Sequence, residues 1–233
     1  MSNIEPLRHD IEFPGMLKKN SRNIRLWHWL NAIVISGSLI TVLVNSTILD
    51  VRANTSFVKN EVQKSGISIS DLQAKSAVHA LEDKVWSVHI IFGYLLAALL
   101  AYRIISEFLQ HRDQKFIKKL KAVYGKSTVL GESKTLMAHE RFVKTLYAIF
   151  YLLVFTMVIT GLTLAFKDDL QLSRNTAGFI KEIHGFCLYP IIGFIIIHIA
   201  GVILAESKDE KGIVSDMIHG GAHSPATSKK HQH

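Results

Sequence analysis

IHGFCLYPIIGFIIIHIAGVILA, residues 183–205, is a run of 23 residues without a formal charge, bounded by Glu182 and Glu206. That is long enough to cross a bilayer as a helix. It carries two histidines, His184 and His198. An ionisable side chain inside hydrocarbon costs several kcal/mol, so each marks a functional position. Fourteen residues at roughly 100° each fall about 40° short of four full turns, so both rings leave nearly the same helix face, about 21 Å apart along the axis. One face of this helix therefore offers an imidazole near each side of a membrane.

Three further uncharged runs, 26–49, 85–102 and 145–166, are 24, 18 and 22 residues long, each sufficient for a span. The expected fold is all-α: an integral membrane four-helix bundle covering 26–206. A segment 1–25 precedes it and a tail 207–233 follows. No folded soluble domain of any size fits in the remainder of a 233-residue chain.

The net charge of +8 is unevenly spread. With four spans, segments 1–25, 103–144 and 206–233 share one side of the membrane and hold 19 Lys+Arg, against 8 in 50–84 and 167–182. This is the positive-inside bias, which puts both termini in the cytoplasm. The basicity is thereby a topology signal and not a nucleic-acid footprint. The single cysteine, Cys187, has no partner for an intrachain disulfide, and the absence of any C-x-x-C-H run excludes covalent c-type haem attachment. The first apolar run follows a basic 25-residue segment with no small-residue cleavage site, and reads as an uncleaved signal anchor.

Along the chain, residues 1–25 read as irregular up to Asn20. Arg22 and Arg25 then serve as topology anchors or as partners for acidic groups of a ligand. The first span opens RLWHWLNA, with Trp27 and Trp29 as interface aromatics around His28. Gly37, flanked by Ser36 and Ser38, permits close helix approach. Residues 50–84 read as a long outer loop, holding a short amphipathic helix opened by Ser70 or Asp71, with His79 as a surface histidine. The second span carries His89 and Gly93 and is closed by Arg103, either a snorkelling anchor or a counter-charge. Residues 104–141 read as a basic cytoplasmic loop in which His139 precedes the third span. That span contains no histidine. A short outer loop, 167–182, leads to the fourth span, and the tail holds a short interfacial turn, KGIVSDMIHGG, before a polar end.

Alternating span directions assign depth. His28 and His198 fall towards the inner side, His89 and His184 towards the outer side. Four histidines thus sort into two pairs with no remainder, although His28 is shallower than His198 unless the first span begins a turn before Leu26 or tilts. Haem iron accepts an imidazole on each face, which leaves no open position and suits electron transfer better than oxygen chemistry. The expected cofactors are two haem b groups, held without covalent attachment, with Gly93 and Gly193 clearing room for the macrocycles. Arg103 would face the propionates of the inner haem.

RLWHW at 25–29, HIIFG…R at 89–103 and IHGFCLYPIIGFIIIHI at 183–199 resemble the bacterial di-haem cytochrome b561 family. The following GVILAESKDEKGIVSDMIHGG is similar to the C-terminal end of b-type cytochrome subunits of membrane-bound nickel–iron hydrogenases. Where hydrogenase-type members carry Gly-His-Asn-Pro before the third helix, this chain has AHER at 138–141, which keeps His139 alone. The resemblance implies His28 and His198 as axial ligands of one haem iron and His89 and His184 of the other. It also implies a third helix without a ligand, and quinone as the inner-side partner.

Three functions compete on these residues. One is an electron-transfer subunit linking an outer-side donor or partner, such as a hydrogenase, to quinone. Another is a stand-alone superoxide:quinone oxidoreductase using the same haems. A divalent-metal transporter is disfavoured because the four uncharged runs hold no Asp or Glu to converge with imidazoles. Membrane lipid is a partner in every case, a homodimer is left open, and no residue is assigned as catalytic.

Overall fold

The computed structural model of the chain describes residues 22–109, 134–208 and 213–219. The described residues form six helices: α1 (Arg22–Thr47), α2 (Val51–Lys64), α3 (Asp71–Leu109), α4 (Lys134–Ala165), α5 (Arg174–Lys208) and α6 (Ile213–His219). Four of these, α1, α3, α4 from Arg141 and α5 to Ser207, are long and apolar enough to cross a membrane. In hydrocarbon, backbone N–H and C=O groups have no water to turn to, so a helix that satisfies them internally is the form these runs adopt. The chain is an all-helical, multi-pass membrane protein with four spans.

The helices overrun the uncharged runs. α1 spans Arg22–Thr47 and so is helical one turn before Leu26, the first of the two ways, earlier start or tilt, in which His28 could reach the depth of His198. Two expectations for the outer segment 50–84 are corrected. Residues 51–64, expected as loop, are helix α2, and the expected short helix from Asp71 is the beginning of α3, continuous with the second span. Asp50 opens α2 by accepting the N–H of Ala53 at 2.9 Å. Gly66, at φ 80°, follows its last turn and takes a left-handed conformation that other residues resist. α3 starts with a reciprocal capping box: the N–H of Gln73 donates to Ser70 Oγ at 3.2 Å and the N–H of Ser70 to Gln73 Oε1 at 2.8 Å. No Pro or Gly interrupts 71–92, so nothing stops the helix at Lys84.

The expected outer loop 167–182 is likewise shorter, because α5 starts at Arg174. Pro190 lies inside α5 and leaves the carbonyl of Phe186 without its helical donor. On the other side, α3 runs to Leu109 and α4 begins at Lys134, so the loop expected at 104–141 is helical at both ends. Its middle, the irregular segment before Asn20 and the polar end of the tail lie outside the described residues.

The chain divides into two compact units, Leu30–Ile191 and a second made of Met1–Trp29 with Ile192–His233. In the first, α2 packs on α3 and α3 on α4. Leu100 of α3 with Val154 and Val158 of α4 form the buried cluster, flanked by Leu96, Ala97, Phe150 and Leu162. Residues 150, 154, 158 and 162 are one i+4 row, the ridge that helices use for packing. On α1, Val34, Thr41 and Asn45 are buried along one stripe, and Asn45 Nδ2 donates to the carbonyl of Glu82 at 3.3 Å. Large apolar side chains elsewhere on the spans, such as Ile33, Leu43, Leu152 and Phe155, are exposed, as lipid-facing residues are.

In the second unit, α6 is tied to the start of α1. Trp29 Nε1 donates to the carbonyl of Met217 at 3.1 Å, and Arg25 Nη1 to that of Asp216 at 3.3 Å. Glu206 accepts the N–H of Val214 at 3.0 Å. The short interfacial turn expected in the tail is this helix.

A Cβ added at Gly37 would run into the ring of Phe92 on α3. Gly37→Leu is therefore expected to destabilise the protein by about 1–3 kcal/mol, the range for overpacking a close contact. Phe92→Ala in the same chain should recover part of that loss, measured as the thermal midpoint in detergent.

Candidate functional site

Each compact unit holds one pair of facing histidines. In the unit Leu30–Ile191, His89 of α3 and His184 of α5 have ring centroids 6.3 Å apart, with planes crossing at 82°. In the other, His28 of α1 and His198 of α5 have centroids 6.1 Å apart, at 53°. A metal–imidazole nitrogen bond is about 2.0 Å, and a ring nitrogen sits roughly 1.1 Å from its centroid. Two rings on opposite sides of one metal therefore have centroids roughly 6.2 Å apart. Both separations meet that figure.

The four residues singled out from the sequence are thus brought together in the expected twos. The remaining singled-out residues behave differently. Arg103 lies 3.6 Å from Glu107, one turn further along α3, with both side chains partly buried. Arg25 is engaged with the carbonyl of Asp216. His79 is exposed and pairs with Glu82 at 3.1 Å, the surface role expected for it. The side chain of His139 lies outside the described residues.

Around the His89–His184 pair, hydroxyls that the sequence did not single out for this role complete the geometry. Thr41 Oγ1 of α1 lies 2.9 Å from His89 Nδ1, with Ser38 Oγ at 3.3 Å. Thr160 Oγ1 of α4 lies 2.9 Å from His184 Nδ1. Each threonine hydroxyl is also 2.6 Å from a carbonyl of its own helix, Ser38 for Thr41 and Thr156 for Thr160. A carbonyl only accepts, so each hydroxyl proton is committed there and its lone pair is left to accept from the imidazole. A ring that donates its Nδ1–H to such a hydroxyl keeps the lone pair of Nε2 for another partner.

Glycine and aromatic neighbours fix the rings further. A Cβ at Gly161, next to Thr160, would lie 3.1 Å from Cε1 of His184, so only glycine admits the ring in this position without a shift. The indole of Trp86 meets His89 edge-on at 5.3 Å. In the other unit, Phe194 lies parallel to His198 at 5.8 Å and Trp29 meets His28 edge-on at 5.4 Å. Nδ1 of His28 is buried and meets no hydrogen-bond partner among the described residues.

Among the described residues, no group of three or more His, Cys, Asp or Glu converges as a metal site. A metal between either pair therefore has two protein donors and must bring its other ligands with it. A planar macrocycle carrying its own iron has that property, with two axial positions open to imidazole. A Cβ at Gly93, one turn after His89, or at Gly193, near His198, would meet no atom within 4 Å, so there is room beside both pairs.

Comparison with curated proteins and with solved structures finds no match. Residues 21–220, which contain all four spans and both histidine pairs, match the family of prokaryotic cytochrome b561. With that match over most of its length, the chain belongs to the prokaryotic cytochrome b561 family and is a membrane b-type cytochrome, binding haem b to transfer electrons.

Proposed function

We propose that the chain holds two haem b groups, His28 with His198 as the axial ligands of one and His89 with His184 of the other, and carries electrons across the bacterial inner membrane. The observation that carries this reading is the pair of ring separations, 6.1 and 6.3 Å, each fitting one iron between two imidazoles. When bound, haem b would supply a one-electron couple, and two histidines at each iron would favour electron transfer over oxygen binding.

The chain's own residues orient and insulate. Thr41 and Thr160 engage Nδ1 of His89 and His184 and leave Nε2 as the nitrogen that would bind the iron. Gly93 and Gly193 leave space at the macrocycle edge. Arg103 is the candidate counter-charge for propionates, shared with Glu107. Apolar spans exclude water, so charge moving through them is felt at low dielectric.

The charge bias along the sequence supports a cytoplasmic position for both termini and hence an outer position for the α2–α3 hairpin. A folded hairpin suits docking of an outer-side redox partner, such as a hydrogenase, more than it suits a small anionic substrate. Quinone is the proposed partner on the inner side. Superoxide-driven quinone reduction by the purified single chain would transfer the assignment to the stand-alone oxidoreductase.

A pyridine haemochrome assay of the purified full chain should give two haem b per polypeptide. His89→Ala or His184→Ala should each leave one, and His28→Ala or His198→Ala should each leave the other, with a different midpoint potential. Two haems retained in any of these variants would overturn the pairing. Gly161→Leu drives a side chain into the ring of His184 and is expected to lose the same haem as His184→Ala, with the second spectrum unchanged.

A further inference from the structure

We infer that the hydroxyls of Thr41 and Thr160 are positioning groups that fix the Nδ1–H tautomer of His89 and His184 and thereby lower the potential of the haem between them. The inference rests on the proposed ligation by these two histidines. It goes beyond it by giving the span Arg141–Ala165 of α4, which holds no histidine, a part in setting the redox properties of the site.

The geometry repeats on two unrelated helices. On α1, Thr41 Oγ1 donates to the carbonyl of Ser38 at 2.6 Å and accepts from His89 Nδ1 at 2.9 Å. On α4, Thr160 Oγ1 donates to the carbonyl of Thr156 at 2.6 Å and accepts from His184 Nδ1 at 2.9 Å. Each hydroxyl thus bridges a carbonyl of its own helix and an imidazole; Thr160 Oγ1 also lies 3.2 Å from the carbonyl of Met157, a second acceptor for the same proton. Threonines elsewhere on the spans, Thr156 and Thr163, bond only to their own helix at 2.9 and 2.8 Å. The back-bond alone is ordinary for a threonine in a span. The imidazole on its other side is what distinguishes Thr41 and Thr160.

An imidazole whose Nδ1–H is held by an acceptor is a more basic ligand at Nε2, because charge pulled from Nδ1–H is returned to the ring. A more basic axial ligand stabilises ferric over ferrous iron, so the potential falls. A hydroxyl acceptor is weaker than a carboxylate, and the expected effect is correspondingly modest. Valine matches threonine in shape without the acceptor, and serine restores the acceptor without the methyl group.

The test is an optical redox titration of the purified full-length protein and its variants. Thr160→Val, and Thr41→Val combined with Ser38→Ala to remove the longer 3.3 Å alternative, should each raise the midpoint of one haem and leave the other unchanged. At fixed ambient potential the reduced-to-oxidised ratio of that haem should rise about threefold, ~28 mV at 59 mV per tenfold for one electron. Thr160→Ser should return the wild-type midpoint. Loss of that haem in Thr160→Val with retention in Thr160→Ser would equally support the role of the hydroxyl. Unchanged midpoints in the valine variants, equal shifts of both haems, or haem loss in both Val and Ser variants would overturn it. His89→Ala and His184→Ala, assayed in parallel for haem content, separate the two levels. Two haems in those variants would remove the ligation itself, whereas one haem with unmoved midpoints in the threonine variants would remove only the hydroxyl role.

Discussion

An imidazole has two nitrogens with opposite requirements, and inside hydrocarbon neither can be left to water. In the neutral ring one nitrogen must donate and the other must accept. The His89–His184 pair meets the first requirement from the protein, through Thr41 and Thr160, and leaves the second to whatever lies between the rings. The rest of the arrangement follows from that division. The ring centroids lie 6.3 Å apart, which leaves room for one metal between them.

The same division gives a part to the span Arg141–Ala165, which holds no histidine. α4 packs on α3 through its i+4 ridge, Phe150, Val154, Val158 and Leu162. Thr160 and Gly161 fall within the same stretch of helix, where one accepts from His184 and the other makes room for its ring. The ridge sets how close α4 comes to α3, and the hydroxyl and the missing Cβ turn that closeness into ring orientation. On α1 the stripe Val34, Ser38, Thr41 and Asn45 does comparable work, with Asn45 fastening to the backbone of α3 at Glu82 and Thr41 holding His89. Packing and ligand presentation are carried by the same helix faces.

Much of this was legible in the residues. Four uncharged runs located the spans, and the depth of each histidine along alternating helices sorted them into the two pairs that the structure brings together. The early start of α1 was legible as one of two ways, with tilt, for His28 to reach the depth of His198. Helix α2 and the unbroken length of α3 were not. Their sequences are polar and charged, and what specifies them is local: an aspartate cap at Asp50, a glycine after the last turn at Gly66, and a capping box at Ser70 and Gln73. The threonine partners were invisible for a different reason. Ser87, Thr156 and Thr163 also sit in spans and simply bond their own helix. Only the three-dimensional approach of another helix separates Thr41 and Thr160 from them. A weak signal did exist in the small and polar residues at 38, 41 and 45, a stripe at helical spacing on an otherwise apolar segment.

The donor inventory of the two pairs also decides between chemistries that share intramembrane histidines. A transported divalent cation exchanges ligands as it moves, and a path for it needs several oxygen and nitrogen donors converging near each stop. Each pair here offers two imidazoles, and no third His, Cys, Asp or Glu joins either among the described residues. Two donors facing across about 6.2 Å hold a metal strongly only if its remaining ligands lie in the plane between them. A tetrapyrrole such as the haem b of this family would satisfy that condition. The donor inventory of the two pairs thus agrees with the electron-transfer chemistry of the family better than with cation transport.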